Sequence, residues 1–190
     1  MSITYYFIRH APTKAAPNLC YGQTDIPLVA DYPRHHAQIK RALPPLDLVY
    51  SSPLSRCLQL AHDLNSQPVI DARLQELNFG LWEQCNFNHI APLQLQQWSE
   101  NYLTQAPPQG ENFAQLLQRC HNFWHALAPL EGQNIAIVSH AGVIRALLSL
   151  SLNIAADKVF HFKVDYASIH CIKQHENWHE LVFWNQTASV

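Results

Sequence analysis

Two apolar runs end in histidine, and they constrain this chain more than anything else in it. Ile3-Thr4-Tyr5-Tyr6-Phe7-Ile8 leads into Arg9-His10. Ile135-Ala136-Ile137-Val138-Ser139 leads into His140, followed at once by Ala141-Gly142. Short apolar runs of this kind read as buried strands. In a parallel sheet, ligands collect beyond the carboxyl ends of the strands. Two histidines and an arginine delivered to one rim suit a phosphate, because cations hold its oxygens and a neutral imidazole can attack phosphorus.

The rest of the chain alternates between the two regular periods. A strand is expected over 3–9, then a loop over 11–30 whose length points to function, then a helix over 32–42 stopped by Pro44-Pro45. Asp47-Leu48-Val49-Tyr50 reads as a short strand. Ser51-Ser52-Pro53 reads as a helix start, with Ser52 as N-cap and Pro53 at the first helical position, and that helix runs to about Asn65. Val69-Ile70 is a third strand, and 88–103 is a polar helix. From Glu111, the steps Phe113, Leu116, Leu117, Cys120, Phe123, Trp124 and Leu127 trace one face of a helix. A strand over 134–139 and a helix over 142–152 follow, and 166–172 with 179–184 form a closing hairpin. Alternating strands and helices predict an α/β layered fold.

Composition narrows the class. A chain of 190 residues, 48% apolar and without charge runs, suits one domain over 1–190 with a sizeable core. A net charge of −2 gives no general attraction to nucleic acid or to anionic membranes. No stretch approaches the roughly 20 apolar residues of a membrane span, and the N-terminus lacks a signal-peptide layout, so a cytoplasmic location is expected. The five cysteines are scattered and odd in number, which predicts reduced thiols. The twelve histidines read mostly as surface or core residues. His35-His36 and His121 with His125 have spacings that could hold a metal, but no metal or cofactor is expected.

Four places carry candidate chemistry. His10 is a nucleophile if one ring nitrogen is kept free by a fixed partner on the other, and Arg9 then binds phosphoryl oxygens. Arg56 lies early in its helix, where an anion is welcome and a planar guanidinium adds a fork of donors. The Leu74-to-Glu83 stretch sets Glu76 and Glu83 among apolar residues, and burial of either carboxyl would suit a general acid. His140, at a strand-to-helix junction, can donate to phosphate and stabilise its charge. Taken singly, each also has a plain reading as a strand end, a surface arginine, a capping carboxylate or a core histidine.

Their joint order resembles the histidine phosphatase (phosphoglycerate mutase-like) superfamily. The matching segments are Phe7–His10, Tyr21–Leu28, Val49–Arg56, Leu74–Glu83, Gly110–Phe113 and Val138–Arg145, spread over nearly the whole chain. The Cys20–Asp25 loop and the His161–Asp165 segment look most like the alpha-ribazole phosphatase branch of cobalamin assembly. The resemblance implies a three-layer α/β/α sandwich on a mostly parallel sheet and a phosphomonoesterase acting on a small phosphorylated metabolite. It makes His10 the phosphoryl acceptor, puts Arg9, Arg56 and His140 around the phosphate, and makes Glu76 the proton donor. Asn18, Gly22 and Gln23 become substrate contacts, and Tyr21 or Trp82 a platform for an aromatic leaving group. A broad sugar-phosphate phosphatase or a phosphoglycerate mutase is the alternative enzyme, and a phospho-ligand-binding pseudo-enzyme the alternative class. Two departures stand out. Ala11-Pro12 follow His10 where the family usually has Gly-Glu, and Ala16 stands where an asparagine is frequent.

Overall fold

The computed structural model describes residues 2–187. A six-stranded sheet has the order β3-β2-β4-β1-β5-β6, with β1 at Ile3–Arg9, β2 at Leu48–Ser51, β3 at Val69–Ile70, β4 at Asn134–Ser139, β5 at Ile169–Gln174 and β6 at His179–Gln186. The first four strands run parallel; β5 is antiparallel to β1, and β6 to β5. The helices are α1 (Tyr32–Ala42), α2 (Ser55–Leu64), α3 (Pro92–Glu100), α4 (Phe113–Ala126) and α5 (Ala141–Leu152).

Strand alternation makes the layers. Tyr5 and Phe7 of β1, with Ile135 and Ile137 of β4, pack against Leu116, Cys120 and Phe123 of α4 and Ile144 and Leu147 of α5. Ile8, Ala136 and Val138 face the other way, onto Ile39 of α1 and Cys57, Leu60 and Ala61 of α2. Each of the large apolar side chains here is almost wholly enclosed, which stabilises the fold by roughly 1.5–3 kcal/mol apiece. The expected α/β/α sandwich is the observed architecture.

Three elements differ from their sequence reading. α2 starts at Ser55 rather than Pro53, with Leu54 rather than Ser52 as its N-cap residue and no capping bond from the Leu54 side chain. Ser52 Oγ lies 2.8 Å from His140 Nε2 and reaches the Leu54 N–H only at 3.4 Å. The cap comes from outside the helix, since Asp25 accepts from the Ser55 N–H at 3.1 Å and from its hydroxyl at 2.9 Å. The helix expected over 88–103 is only Pro92–Glu100, preceded by a 3₁₀ turn over Phe87–His89. A residue before proline is pushed out of the helical region, and Ala91 has ψ 123°. β5 starts at Ile169, three residues later than expected, because Ser168 closes a turn by donating to the Asp165 carbonyl. The remaining elements lie within a residue or two of their expected positions.

Candidate active site

β1 and β4 are adjacent and parallel, with Arg9 paired to Ser139 in register. The next residue on each strand is a histidine, and the two rings meet with centroids 5.1 Å apart. They border a cavity of about 180 Å³ lined by Arg9, His10, Leu19, Tyr21, Arg56, Glu76, Phe79, Phe87, His140 and Tyr166. The five residues expected to do the chemistry therefore converge from four parts of the chain.

The His10 ring is fixed by its Nδ1, which lies 2.8 Å from the Ala11 carbonyl oxygen. A carbonyl can only accept, so Nδ1 carries the proton and Nε2 keeps its lone pair. The departure from the family's usual Gly-Glu leaves this device intact, because it uses a backbone atom; the Ala11 methyl is fully enclosed. Burial, then Arg56, then Arg9 hold the His10 imidazole well below the ordinary histidine range. Arg9 stacks on the Tyr166 ring, 3.7 Å from its centroid, and donates from Nη1 to the Val164 carbonyl at 2.7 Å.

Arg56 is completely enclosed. Its Nη1 donates to the Thr24 carbonyl at 2.8 Å, its Nη2 to the Gly22 carbonyl, and its Nε to His140 Nδ1 at 3.3 Å. Because Nδ1 accepts, the His140 proton sits on Nε2 and is given to Ser52. This differs from the expectation that His140 donates to phosphate: both its nitrogens are engaged by protein. Burial, then His10, Arg56, Arg9 and Arg119, keep the His140 ring well below the ordinary range as well, hence neutral.

The two glutamates are in different situations. Glu76 lines the cavity and accepts from the backbone N–H groups of Leu77 at 3.0 Å and of Gly142 at 3.1 Å. Gly142 permits that approach, since a Cβ there would lie 2.4 Å from Glu76 Oε1. The Glu76 carbonyl is gripped by Arg119 and by the Gln23 side-chain amide. Glu83 is not on the cavity; its carboxylate is occupied by the loop at 22–24. Gly22 serves that loop through its carbonyl and its smallness, as a Cβ there would meet the Leu77 oxygen at 1.8 Å. Asn18 is on an exposed turn with φ 61° and is not among the cavity-lining residues. Trp82 is buried against Trp98 and likewise does not line the cavity, whereas Tyr21 does. Sequence reasoning missed Ser52 as the partner of His140, Arg119 behind Glu76, and Tyr166 under Arg9. The available signals were weak: a serine at a strand end and a tyrosine just past the His161–Asp165 segment.

The model of the histidine phosphatase superfamily (branch 1) matches residues 5–187. The chain belongs to that superfamily. Among curated histidine phosphatases, adenosylcobalamin/alpha-ribazole phosphatase of Escherichia coli is 30% identical, over 84% of each chain. A putative phosphoserine phosphatase of Hydrogenobacter thermophilus is 27% identical, over 74% of this chain and 73% of that one. The solved structure of a putative alpha-ribazole-5′-P phosphatase from Escherichia coli covers 99% of this chain and 98% of that chain at a TM-score of 0.88 and 26% identity. This histidine phosphatase is thus a phosphatase by descent as well as by fold. Among its described residues no helix is long and apolar enough to cross a membrane.

Proposed function

We propose that this histidine phosphatase hydrolyses phosphomonoesters through a phosphohistidine at His10, with alpha-ribazole 5′-phosphate as its preferred substrate. The observation that carries the mechanism is the 2.8 Å contact from His10 Nδ1 to the Ala11 carbonyl, which leaves Nε2 as a bare lone pair beside Arg9 and Arg56. Nε2 attacks phosphorus as the ester P–O bond breaks, and Glu76 gives its proton to the departing oxygen. Glu76 then takes a proton from water while that water's oxygen attacks phosphorus. The P–N bond breaks, and inorganic phosphate leaves with His10 neutral again. Arg9 and Arg56 balance the charge of the phosphoryl oxygens. His140 keeps Arg56 in place by accepting from its Nε with a neutral ring.

The substrate reading rests on the wall of the cavity and on the relatives. A volume of about 180 Å³ holds a phosphate and the first atoms of its ester, and the leaving group extends past Leu19, Tyr21, Phe79 and Phe87. That wall is apolar and aromatic. Among the described residues, Arg9 and Arg56 are the arginines and lysines that line the cavity, and with both on the phosphate the carboxylate of phosphoserine or 3-phosphoglycerate finds no further cation in that lining. A flat heteroaromatic ring suits such a wall. Rapid quench with labelled substrate is expected to trap acid-labile, base-stable phosphate on His10, and none in His10→Ala. In a panel with 3-phosphoglycerate, phosphoserine and sugar phosphates, alpha-ribazole 5′-phosphate is expected to lead in kcat/KM by more than about tenfold, roughly 1.4 kcal/mol. A flat panel would replace it with a broad phosphatase.

A further inference from the structure

Glu83 looks at first like a loop carboxylate with no part in the chemistry. It stands outside the cavity, yet its two oxygens collect six contacts from five donors. Oε1 accepts from the backbone N–H groups of Gly22 at 3.0 Å, Gln23 at 3.0 Å and Phe79 at 3.1 Å. Oε2 accepts from Gly22 N–H at 3.0 Å, Thr24 N–H at 3.1 Å and the Thr24 hydroxyl at 2.6 Å. Burial pushes the Glu83 carboxyl upward, and the donors from Gly22, Thr24, Gln23 and Phe79 outweigh it and leave it below the usual range. The group is an anion held in a nest of amides.

Two of these residues, Gly22 and Thr24, also face Arg56. The carbonyls of Gly22 and Thr24 take Nη2 and Nη1 of a guanidinium that is wholly enclosed. Its direct carboxylate partner among the described residues, Asp25, is 3.9 Å away and 46% exposed. A cation buried this deeply requires compensation. The loop supplies it at the Gly22–Gln23 peptide, whose N–H goes to Glu83 and whose carbonyl goes to Arg56, since hydrogen bonds in series strengthen one another. Glu83 also anchors Thr24 by its N–H and hydroxyl, which fixes the residue whose carbonyl takes Nη1.

We propose that Glu83 is a positioning residue for phosphate binding: through the Gly22–Gln23 peptide and its anchorage of Thr24 it aims and compensates Arg56. This rests on the reading of Arg56 as a phosphate ligand. Neutralising Glu83 leaves the loop with one fewer acceptor and no charge, so Arg56 loses both direction and compensation. The effect falls on affinity for the phosphoryl group rather than on proton transfer to the leaving oxygen, which separates Glu83 from Glu76.

Inhibition by vanadate tests this with Glu83→Gln, Arg56→Lys and the double variant, each checked for folding by its melting temperature. Glu83→Gln is expected to raise the vanadate inhibition constant about tenfold, as for a lost charge-assisted network. Two changes acting through one group should not add, so the double variant should bind vanadate within about twofold of Arg56→Lys alone. If Glu83→Gln does not fold, Thr24→Val removes the shortest donor and should weaken vanadate in the same direction, again without effect on an Arg56→Lys background. Weakening by Arg56→Lys but not by the loop variants, or full additivity, overturns the role of Glu83 and leaves the phosphate pocket standing. No weakening by Arg56→Lys overturns the pocket assignment and this inference with it.

Discussion

At the scale of single residues, the environment of His10, the proposed nucleophile, sets a pH dependence. An ordinary histidine loses its attacking lone pair as pH falls through about 6.5. Burial, Arg56 and Arg9 move His10 well below that, so its neutral fraction is complete at pH 6.5 and declines only far on the acid side. We therefore expect kcat/KM for p-nitrophenyl phosphate, corrected for the ester's own second ionisation, to show no enzyme-derived acid limb near pH 6.5. A limb at 6.5 or above that follows the enzyme would contradict the buried, neutral nucleophile. His10, Arg9, Arg56 and His140 were legible in the sequence because each sits at a strand end or in a helix's first turn. Ser52 was not, because it meets His140 across 88 positions. Glu83 was legible as a carboxylate among apolar residues but not as a clamp, since Gly22 lies 61 positions away.

At the scale of elements, the junction of β4 and α5 is the most sensitive joint. Gly142 holds the Glu76 carboxylate on its N–H and leaves no room for a methyl group. Alanine is the better helix former by about 1 kcal/mol in a helix interior, which offsets part of the cost of displacing the Glu76 carboxylate, so Gly142→Ala should still fold, as its melting transition checks. Turning Glu76 away should at the same time lower turnover by about a hundredfold or more, the lower range for general acid–base work. The loss should be larger with alkyl phosphates than with p-nitrophenyl phosphate, whose leaving group needs no proton; equal losses would place the effect elsewhere. Helices with strong periodicity, such as α4, were readable from sequence, and Asn112 with Gln115 closes a capping box at its start. α2 and α3 were misjudged at their ends for tertiary reasons: Asp25 supplies a cap from a distant loop, and Pro92 restarts the chain.

At the scale of the whole molecule, the enclosed histidines make the fold acid-sensitive. His10, His36, His140 and His170 are almost wholly buried, and burial lowers all four, His170 down to about 3. Below about pH 6.5 the unfolded chain binds protons that the folded chain refuses, so stability falls as pH falls from 6.5 toward the folded values. At pH 5 each fully neutral ring forfeits up to about 2 kcal/mol. The urea midpoint should therefore be clearly lower at pH 5 than at pH 7, and a flat or opposite trend would mean these rings are charged in the folded state. The alternation of strands and helices gave the layered architecture from sequence alone. The strand order did not follow from it, because which strands become neighbours depends on crossovers that no local pattern records.

The way Arg9 and His10 are tied down bears on how the molecule is made. Their backbone groups bond to Ser168 and Ala167, and the Arg9 side chain reaches Val164, 155 positions away. His10, the proposed nucleophile, and Arg9 leave the ribosome well before the groups that seat them, Arg9 155 positions ahead of Val164. At roughly 5–20 residues per second, the newborn strand waits many seconds for its partners. Contacts of such long range also form slowly in folding. His10 is therefore translated well before its surroundings are completed, and a nascent chain carries an unfinished pocket until the Val164–Ser168 segment has been synthesised.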